Sequence, residues 1–542
     1  TEGIFSYKGQ EASELVIEAM QLVEYSYHGL EEGIKTSYAQ NGYTLETLAA
    51  GIFGTGSTEG IIAGNPDSEA RARELVESQG WTVLTPEDLG ISNTNVDQYG
   101  TFHGETSEFQ DASADVLAKY DENGEIEQLG FVIRGTSGAR EDLLVDTIGD
   151  TIDYLEFFRA NPNYTFDAFE NLLGAVKNFA IQNNVAADDI LITGHSLGGG
   201  AVVNMAENSD EYFDGFFVDA DYLGVATFYT PEDGVSVLES GAEIYSFDFE
   251  NDPVPSVIAP APHVDLSFLG GIFGSTIADG LTDLANNLLD FNIPYILGND
   301  IEYEYSNENI IIFNDLYDTP VFQAGGDWFN APTWSAHLMS AYTIGAQQIS
   351  TSYFYDEMER DSLVIVSNLS DARRENTWVE DIELHFDPTG HHGDGAFILG
   401  SKHNDKLRGQ EGDDALDGFE GNDHLVGGRG NDRLVDGAGR DVLDGGIGAD
   451  TFIFVEDGEL DTITRFEDGK DLIDISDWGV TDISQLTISE VEDSGLFGLA
   501  NLFSNHVKDY VIEYGDEELH LEARSASIFA TATLDSSDFI FA

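Results

Sequence analysis

The sequence predicts two unlike halves: an α/β half over residues 1–385, and an all-β half that contains a parallel β-roll. Three observations predict them. Up to residue 385, helical apolar stripes alternate with short apolar runs. From residue 400 to 454 the chain repeats with a nine-residue period. From 455 to 542 short apolar runs are separated by acidic turns. Residues 386–399 read as the linker, and 542 residues exceed one ordinary core, so separate domains are expected.

In the α/β half, "FDAFENLLGAVKNFAIQNN" puts Phe166, Phe169, Leu172, Leu173, Val176 and Phe179 on one helical face. "DDILIT" then reads as a buried strand, "GHSLGGG" as a sharp turn and "AVVNMAE" as the next helix. A Gly-x-Ser-x-Gly match arises by chance on the order of once in so glycine-rich a chain, so the match alone decides nothing. Its context does. A nucleophilic serine must sit in a strained turn, with glycines two positions either side so that strand and helix do not collide. Ser196 is therefore the candidate nucleophile, and the half reads as an α/β-hydrolase catalytic domain.

Such a serine needs a base and an orienting acid, which in this fold follow in the order Ser, Asp, His. "EIYSFDFENDPVP" is an apolar-alternating strand ending in an acidic turn; Asp248 lies within the strand, and Asp252 just past its end, where α/β-hydrolases hold the acid. Asp252 is chosen. Among twelve histidines, His195 adjoins the nucleophile and reads as orienting the elbow, and His263 is too near Asp252 to come from a separate loop. His385, His391 and His392 fall in or beside the linker. His337, in "PTWSAHLMSAY", is left as the base, with helix capping or packing as its plainer alternative. The oxyanion needs two backbone donors: the N–H of Leu197, and one from "LGFVIRGTSGAR", where Thr136 follows an apolar strand.

From residue 400 the frames GSKHNDKLR, GQEGDDALD, GFEGNDHLV, GGRGNDRLV, DGAGRDVLD and GGIGADTFI succeed one another without a slip. Position six is Asp405, Asp414, Asp423, Asp432, Asp441 and Asp450; position eight is Leu407, Leu416, Leu425, Leu434, Leu443 and Phe452. This is the RTX repeat, one turn plus one short strand of a parallel β-roll per unit. Glycines permit the tight turn, and carboxylates with turn carbonyls offer Ca²⁺ hard oxygen ligands. Without the cation, aligned acids repel and few apolar groups offset the ordering entropy, so this segment should be disordered. A flexible linker would not keep six repeats in phase.

Beyond the repeats, "TFIFVED", "DLIDIS", "DYVIEYG" and "ELHLEA" read as strands, and the chain ends "SSDFIFA". An acid followed by four apolar residues at that end resembles the uncleaved signal of RTX proteins exported by type I machinery. Four such residues alone would be an ordinary last strand; joined to the repeats, they favour export. The first residues show no basic region followed by an apolar run, so no Sec-type signal peptide is expected.

Lys+Arg 22 against Asp+Glu 102 gives a net charge of −80, which excludes nucleic acid as a partner and opposes anionic membranes. Residues 400–454 hold 12 acids and 6 bases, so most of the acidity lies outside the repeats and suits high ionic strength. Cysteine is absent, which removes disulfides and thiol chemistry. No apolar stretch reaches spanning length, and no transmembrane segment is expected.

"GIFSYKGQEAS", "FVIRGTSGAREDLLVDTIGD", "GHSLGGGAVVNMA", "ENDPV", "PTWSAHLMSAY" and "YDEMERDSLVIVSNLSDARRENTWVED", followed by RTX nonapeptides, resemble the family I.3 bacterial secreted lipases, which include polyurethane-degrading esterases. The resemblance covers nearly the whole chain. It implies a Ca²⁺-dependent extracellular triacylglycerol lipase that acts on lipid or ester substrate at an interface as a monomer, with Ser196, Asp252 and His337 as triad and two mobile lids. It also implies a lid calcium at Asp146 and Asp150, and a calcium near the active site at Asp300, Asn309 and Asp361. Two departures stand out: a family glutamine ligand of the lid site falls at Ser113, and residues 267–297 are longer than usual and could form an added flap.

The lids are also legible from the residues. "GDTIDYLEFFRANP" together with the preceding Ile148 puts Ile148, Ile152, Leu155 and Phe158 on one stripe, and "LAAGIFGTGSTEGIIAG" is apolar yet interrupted by glycine. Each by itself would more often face a core. Within the enzyme class, a polyesterase or a phospholipase A1 could use the same triad. A non-catalytic RTX binding or pore-forming protein would lack triad members and carry long apolar helices, neither of which the sequence shows.

Overall fold

The computed structural model describes residues 10–27, 66–92, 95–97, 100–104, 112–121, 123–135, 163–226, 240–242, 244–249, 252, 310–314, 339–359, 362–380, 395–491, 507–525 and 532–542. Two compact units divide the chain: Thr1–Glu308 with Asp318–Ala346, and Asn309–Tyr317 with Gln347–Ala542.

The first unit is built on a sheet of seven described strands: β1 (Trp81–Val83), β2 (Phe102–His103), β3 (Ser113–Tyr120), β4 (Ile126–Arg134), β5 (Ile190–His195), β6 (Asp221–Val225) and β7 (Ile244–Phe247). Their order is β1-β3-β4-β5-β6-β7, with β2 beside β3. β1, β2 and β4 run antiparallel to β3, while β4 to β7 are mutually parallel. β5 is buried along its whole length, as an interior parallel strand must be. The apolar face read from the sequence is buried at Phe166, Phe169, Leu172, Leu173 and Val176, with Phe179 partly covered. That face belongs to two helices, Tyr164–Ala168 and Glu170–Asn183, because Phe169 leaves helical geometry at φ −128° and ψ 30°.

In the second unit, Ala396–Ser401, Ala415–Phe419, Arg433–Val435 and Thr451–Ile453 stack in parallel in one sheet. Lys406–Glu411, His424–Arg429 and Val442–Ile447 stack likewise in the other. Phe397 pairs with Ala415 and Lys406 with His424, a stride of 18 residues, so two nonapeptides complete one turn of the roll. The position-eight residues Leu407, Leu416, Leu425, Leu434, Leu443 and Phe452 are all fully buried between the sheets. Each such leucine contributes about 1.5–3 kcal/mol relative to exposure. Turns stack as closely as strands: a Cβ on Gly430 would lie 1.6 Å from the Gly412 carbonyl oxygen, so only glycine lets successive turns meet.

The unit extends beyond the nonapeptides at both ends. Ile310–Asn314 and Leu363–Asn368, which the sequence reading left in the α/β half, pair in parallel with one another, and the latter with Ala396–Ser401. Past the repeats, Leu460–Asp468 and Leu472–Asp474 continue the two sheets at strides of 20 and 21 residues. The antiparallel strands Thr487–Val491, Val507–Tyr514 and Glu517–Ser525 follow at the end of one sheet. Phe539–Ile540, from the "SSDFIFA" end, pairs in parallel with Leu472–Asp474.

Candidate active site and calcium rows

Ser196 stands between β5 and the helix Leu197–Glu207 with φ 59° and ψ −125°, backbone space that costs a non-glycine residue about 1–3 kcal/mol. The strain is held from both sides. Its N–H donates to the Val225 carbonyl on β6 at 2.8 Å, and its carbonyl accepts from the Gly200 N–H at 3.1 Å. A Cβ on Gly198 would lie 2.0 Å from the Ile133 carbonyl oxygen, so glycine there lets the helix cross the end of β4. The next turn of chain passes the serine itself: a Cβ on Gly135 would be 3.2 Å from the Ser196 Cβ.

His195 is buried beside the serine, and its Nδ1 shares a 2.8 Å hydrogen bond with the Tyr27 hydroxyl. Its ring meets Tyr342 edge-on, with centroids 5.6 Å apart. Tyr342, in the first turn of the helix Met339–Thr351, donates from its hydroxyl to Asp252 Oδ2 at 2.6 Å. Asp252 is fully buried just past β7. Burial first, then the Asp252 and Asp248 carboxylates, hold the Tyr342 pKa well above 10, so the phenol keeps its proton. Residues next to Ser196, the acid after β7 and a helix that starts two residues after His337 thus meet around one tyrosine.

In the second unit the position-six acids form two rows. Asp423 Oδ1 accepts the Asp405 N–H, Asp441 Oδ1 accepts that of Asp423, and Asp461 Oδ1 that of Asp441, at 2.6–2.9 Å. The alternate row runs Asp414, Asp432, Asp450 and Asp471 by the same contact. Apart from Asp405, one oxygen of each acid is thereby used to tie rung to rung, Asp414 Oδ1 accepting the Ala396 N–H. The Oδ2 atoms of Asp423, Asp432 and Asp441 are buried with no hydrogen-bond partner. Burial pushes the pKa of Asp423 up to about 9, and those of Asp432 and Asp441 to about 7. Buried, unbridged carboxylate oxygens in file are a poor fit to an apolar core and a good fit to Ca²⁺. Among the described residues no three Asp, Glu or His side chains gather in one cluster, so an ion here would combine carboxylates with turn carbonyls.

Residues 393–418, 399–434 and 417–452 match the RTX calcium-binding nonapeptide repeat. A lipase of Pseudomonas fluorescens is 37% identical over 413 residues, covering 74% of this chain and 78% of the relative. A second lipase of that organism is 31% identical over 420 residues, covering 74% and 83%. The chain belongs to the family I.3 secreted lipases. The crystal structure of the extracellular lipase LipA from Serratia marcescens resembles this lipase over the whole of both chains, with TM-score 0.61 at 25% identity.

The lipase is a carboxylic ester hydrolase with calcium-binding repeats and a C-terminal β-roll. Of the residues expected from sequence, Ser196, Leu197 and Asp252 lie in the first unit as described, and Asp405, Asp414, Asp423, Asp432, Asp441 and Asp450 line the rows. Ser113 opens β3, where its hydroxyl meets His103 Nδ1 at 3.1 Å. His337, Thr136, Asp146, Asp150, Asp300, Asn309, Asp361, both expected lid segments and residues 267–297 lie outside the described residues. Sequence reading missed Tyr27 and Tyr342, whose partners are 168 and 90 residues away. It also missed Asp461 and Asp471, which keep the rows going after the nine-residue period is lost. Among the described residues no helix is long and apolar enough to cross a membrane.

Proposed function

We propose that this lipase hydrolyses triacylglycerol esters by acyl transfer on an α/β-hydrolase domain. Ser196 attacks the ester carbonyl while His337 takes its proton, and Asp252 fixes the imidazole tautomer and offsets the imidazolium charge. The Leu197 and Thr136 N–H groups hold the oxyanion, His337 returns the proton to the leaving alcohol, and water then hydrolyses the acyl-enzyme. The carrying observation is the backbone of Ser196, held at φ 59° between a buried parallel strand and a helix, with Gly135 of the β4 end beside its Cβ. A structural serine has no need of that strain.

Calcium, in this reading, is structural. Asp405, Asp414, Asp423, Asp432, Asp441 and Asp450 supply row ligands, Asp146 with Asp150 a lid site, and Asp300, Asn309 and Asp361 a site near the active centre. Bound there, the ion supplies charge neutralisation and cross-bridging. Type I export through the C-terminal segment, an extracellular location and a monomeric state complete the proposal. Ser196→Ala should abolish release of fatty acid from emulsified triolein while leaving the circular dichroism spectrum intact; retained turnover removes Ser196 from the mechanism. Parallel rates on phosphatidylcholine and a polyester film rank the substrate classes.

A further inference from the structure

We infer that Tyr342 is a positioning residue for the acid of the triad, clamping the Asp252 carboxylate between the helix Met339–Thr351 and the turn after β7. The inference rests on the reading of Ser196, Asp252 and His337 as the triad. The clamp has two hydrogen bonds through one oxygen. Tyr342 Oη donates to Asp252 Oδ2 at 2.6 Å and accepts the Phe249 N–H at 3.1 Å. The Asp252 N–H in turn donates to the Phe249 carbonyl at 3.1 Å, so the phenol grips both ends of the turn that carries the acid.

The ring is fixed as firmly as the hydroxyl. Tyr342 is fully buried, stacks on Phe249 with centroids 4.1 Å apart, and meets Phe247 and His195 edge-on at 5.8 and 5.6 Å. Among the described residues, the titratable groups facing it are Asp252 and Asp248 from the β7 end and His195 from the elbow, whose Nδ1 is engaged by Tyr27. A phenol that keeps its proton can only donate to a carboxylate, and such charge-assisted bonds are short and strong. A buried acid with one oxygen held this way keeps one orientation toward its imidazole, and some of its charge is drawn onto the phenol.

Tyr342→Phe keeps the ring and its packing and deletes only the donor. The expected result is a fall in kcat of about tenfold at unchanged KM for a soluble ester, each rate normalised to the enzyme titrated by a fluorophosphonate on Ser196. The acid limb of the kcat/KM profile should move to higher pH, because an undivided Asp252 charge raises the imidazole pKa. A wild-type profile with wild-type kcat per titrated site overturns the inference. Asp252→Asn separates the two levels: a loss of several orders of magnitude upholds the triad, so that Tyr342→Phe alone decides the clamp, whereas near-normal turnover in Asp252→Asn removes the triad reading itself.

Discussion

The Arg374 guanidinium closes the first rung of one aspartate row by pairing with Asp405, whose side chain is fully buried. Arg374 also donates to the Ser401 hydroxyl at 2.8 Å and to the Leu369 carbonyl, and Asp405 Oδ2 accepts the Ser401 N–H at 2.7 Å. At this rung the chain itself brings a cation to the row. Breaking a buried pair from one side leaves a charge without compensation, at a cost of about 3–5 kcal/mol. Arg374→Met should therefore lower the stability of the second unit by that amount at saturating Ca²⁺. Adding Asp405→Asn should recover part of the loss. Chemical denaturation of the single and double variants measures both; strictly additive effects would remove the coupling.

The rows set a pH dependence when calcium is removed. An ordinary aspartate titrates near 3.8, whereas burial raises Asp432, Asp441 and Asp461 to about 7 and Asp423 to about 9 in the folded roll. Between those limits the folded form binds more protons than the unfolded form, so stability falls as pH rises. Chelator-treated protein should thus gain β-structure by circular dichroism as the pH is lowered from 8 to 5. With Ca²⁺ present the trend reverses, because protons compete with the ion for the same oxygens. A chelated roll that loses structure on acidification would contradict the assigned burial.

Gly198→Ala tests the elbow without touching a reacting group. The new methyl would sit 2.0 Å from the Ile133 carbonyl oxygen and 2.9 Å from the Arg134 carbonyl carbon, both backbone atoms that no side-chain rotation can relieve. Strand β4 and the helix Leu197–Glu207 must separate, and the serine moves with them. Displacements of about 1 Å at a reacting group cost about a hundredfold. The expected outcome is a loss of that order in kcat/KM on a soluble ester. The calcium-induced change in circular dichroism, which reports the other unit, should be unaltered.

Local signals were legible and distant ones were not. The nonapeptide period marked one turn and one short strand per unit with the eighth residues inside, and the structure buries that stack from Leu407 to Phe452; the 18-residue stride emerges only from the strand pairing. The strand, turn and helix around Ser196 were equally plain. By contrast, "IIIF" at 310–313 and "LVIV" at 363–366 are apolar runs that suit any buried strand, and nothing local says which sheet they join. Phe169 breaks a helix inside an unbroken apolar stripe, which the periodicity does not register. Tyr27 reaches His195, Tyr342 reaches Asp252 and Arg374 reaches Asp405 across 168, 90 and 31 residues, through contacts that only the folded chain creates.

Asp436 tests whether a buried acid outside the position-six rows also holds the ion. It occupies position one of its repeat, where the other five repeats have glycine. Its side chain is buried; Oδ1 accepts the Gly437 and Val455 N–H groups, while Oδ2 is buried with no hydrogen-bond partner. Burial raises its pKa well above 3.8, and the nearby Asp461 carboxylate raises it further. Asp436→Asn keeps Oδ1 with its two N–H donors, removes a buried charge and turns the remaining position into a donor facing acids. In chelator at pH 8 the substitution should stabilise the roll, since the penalty for a buried anion disappears. With Ca²⁺ the sign should invert, because an amide nitrogen cannot ligate the ion. Calcium titration followed by circular dichroism then shows a higher baseline and a weaker apparent affinity in the variant. A variant destabilised in chelator and unchanged in calcium affinity would mean that Asp436 serves only to bind its two backbone N–H groups.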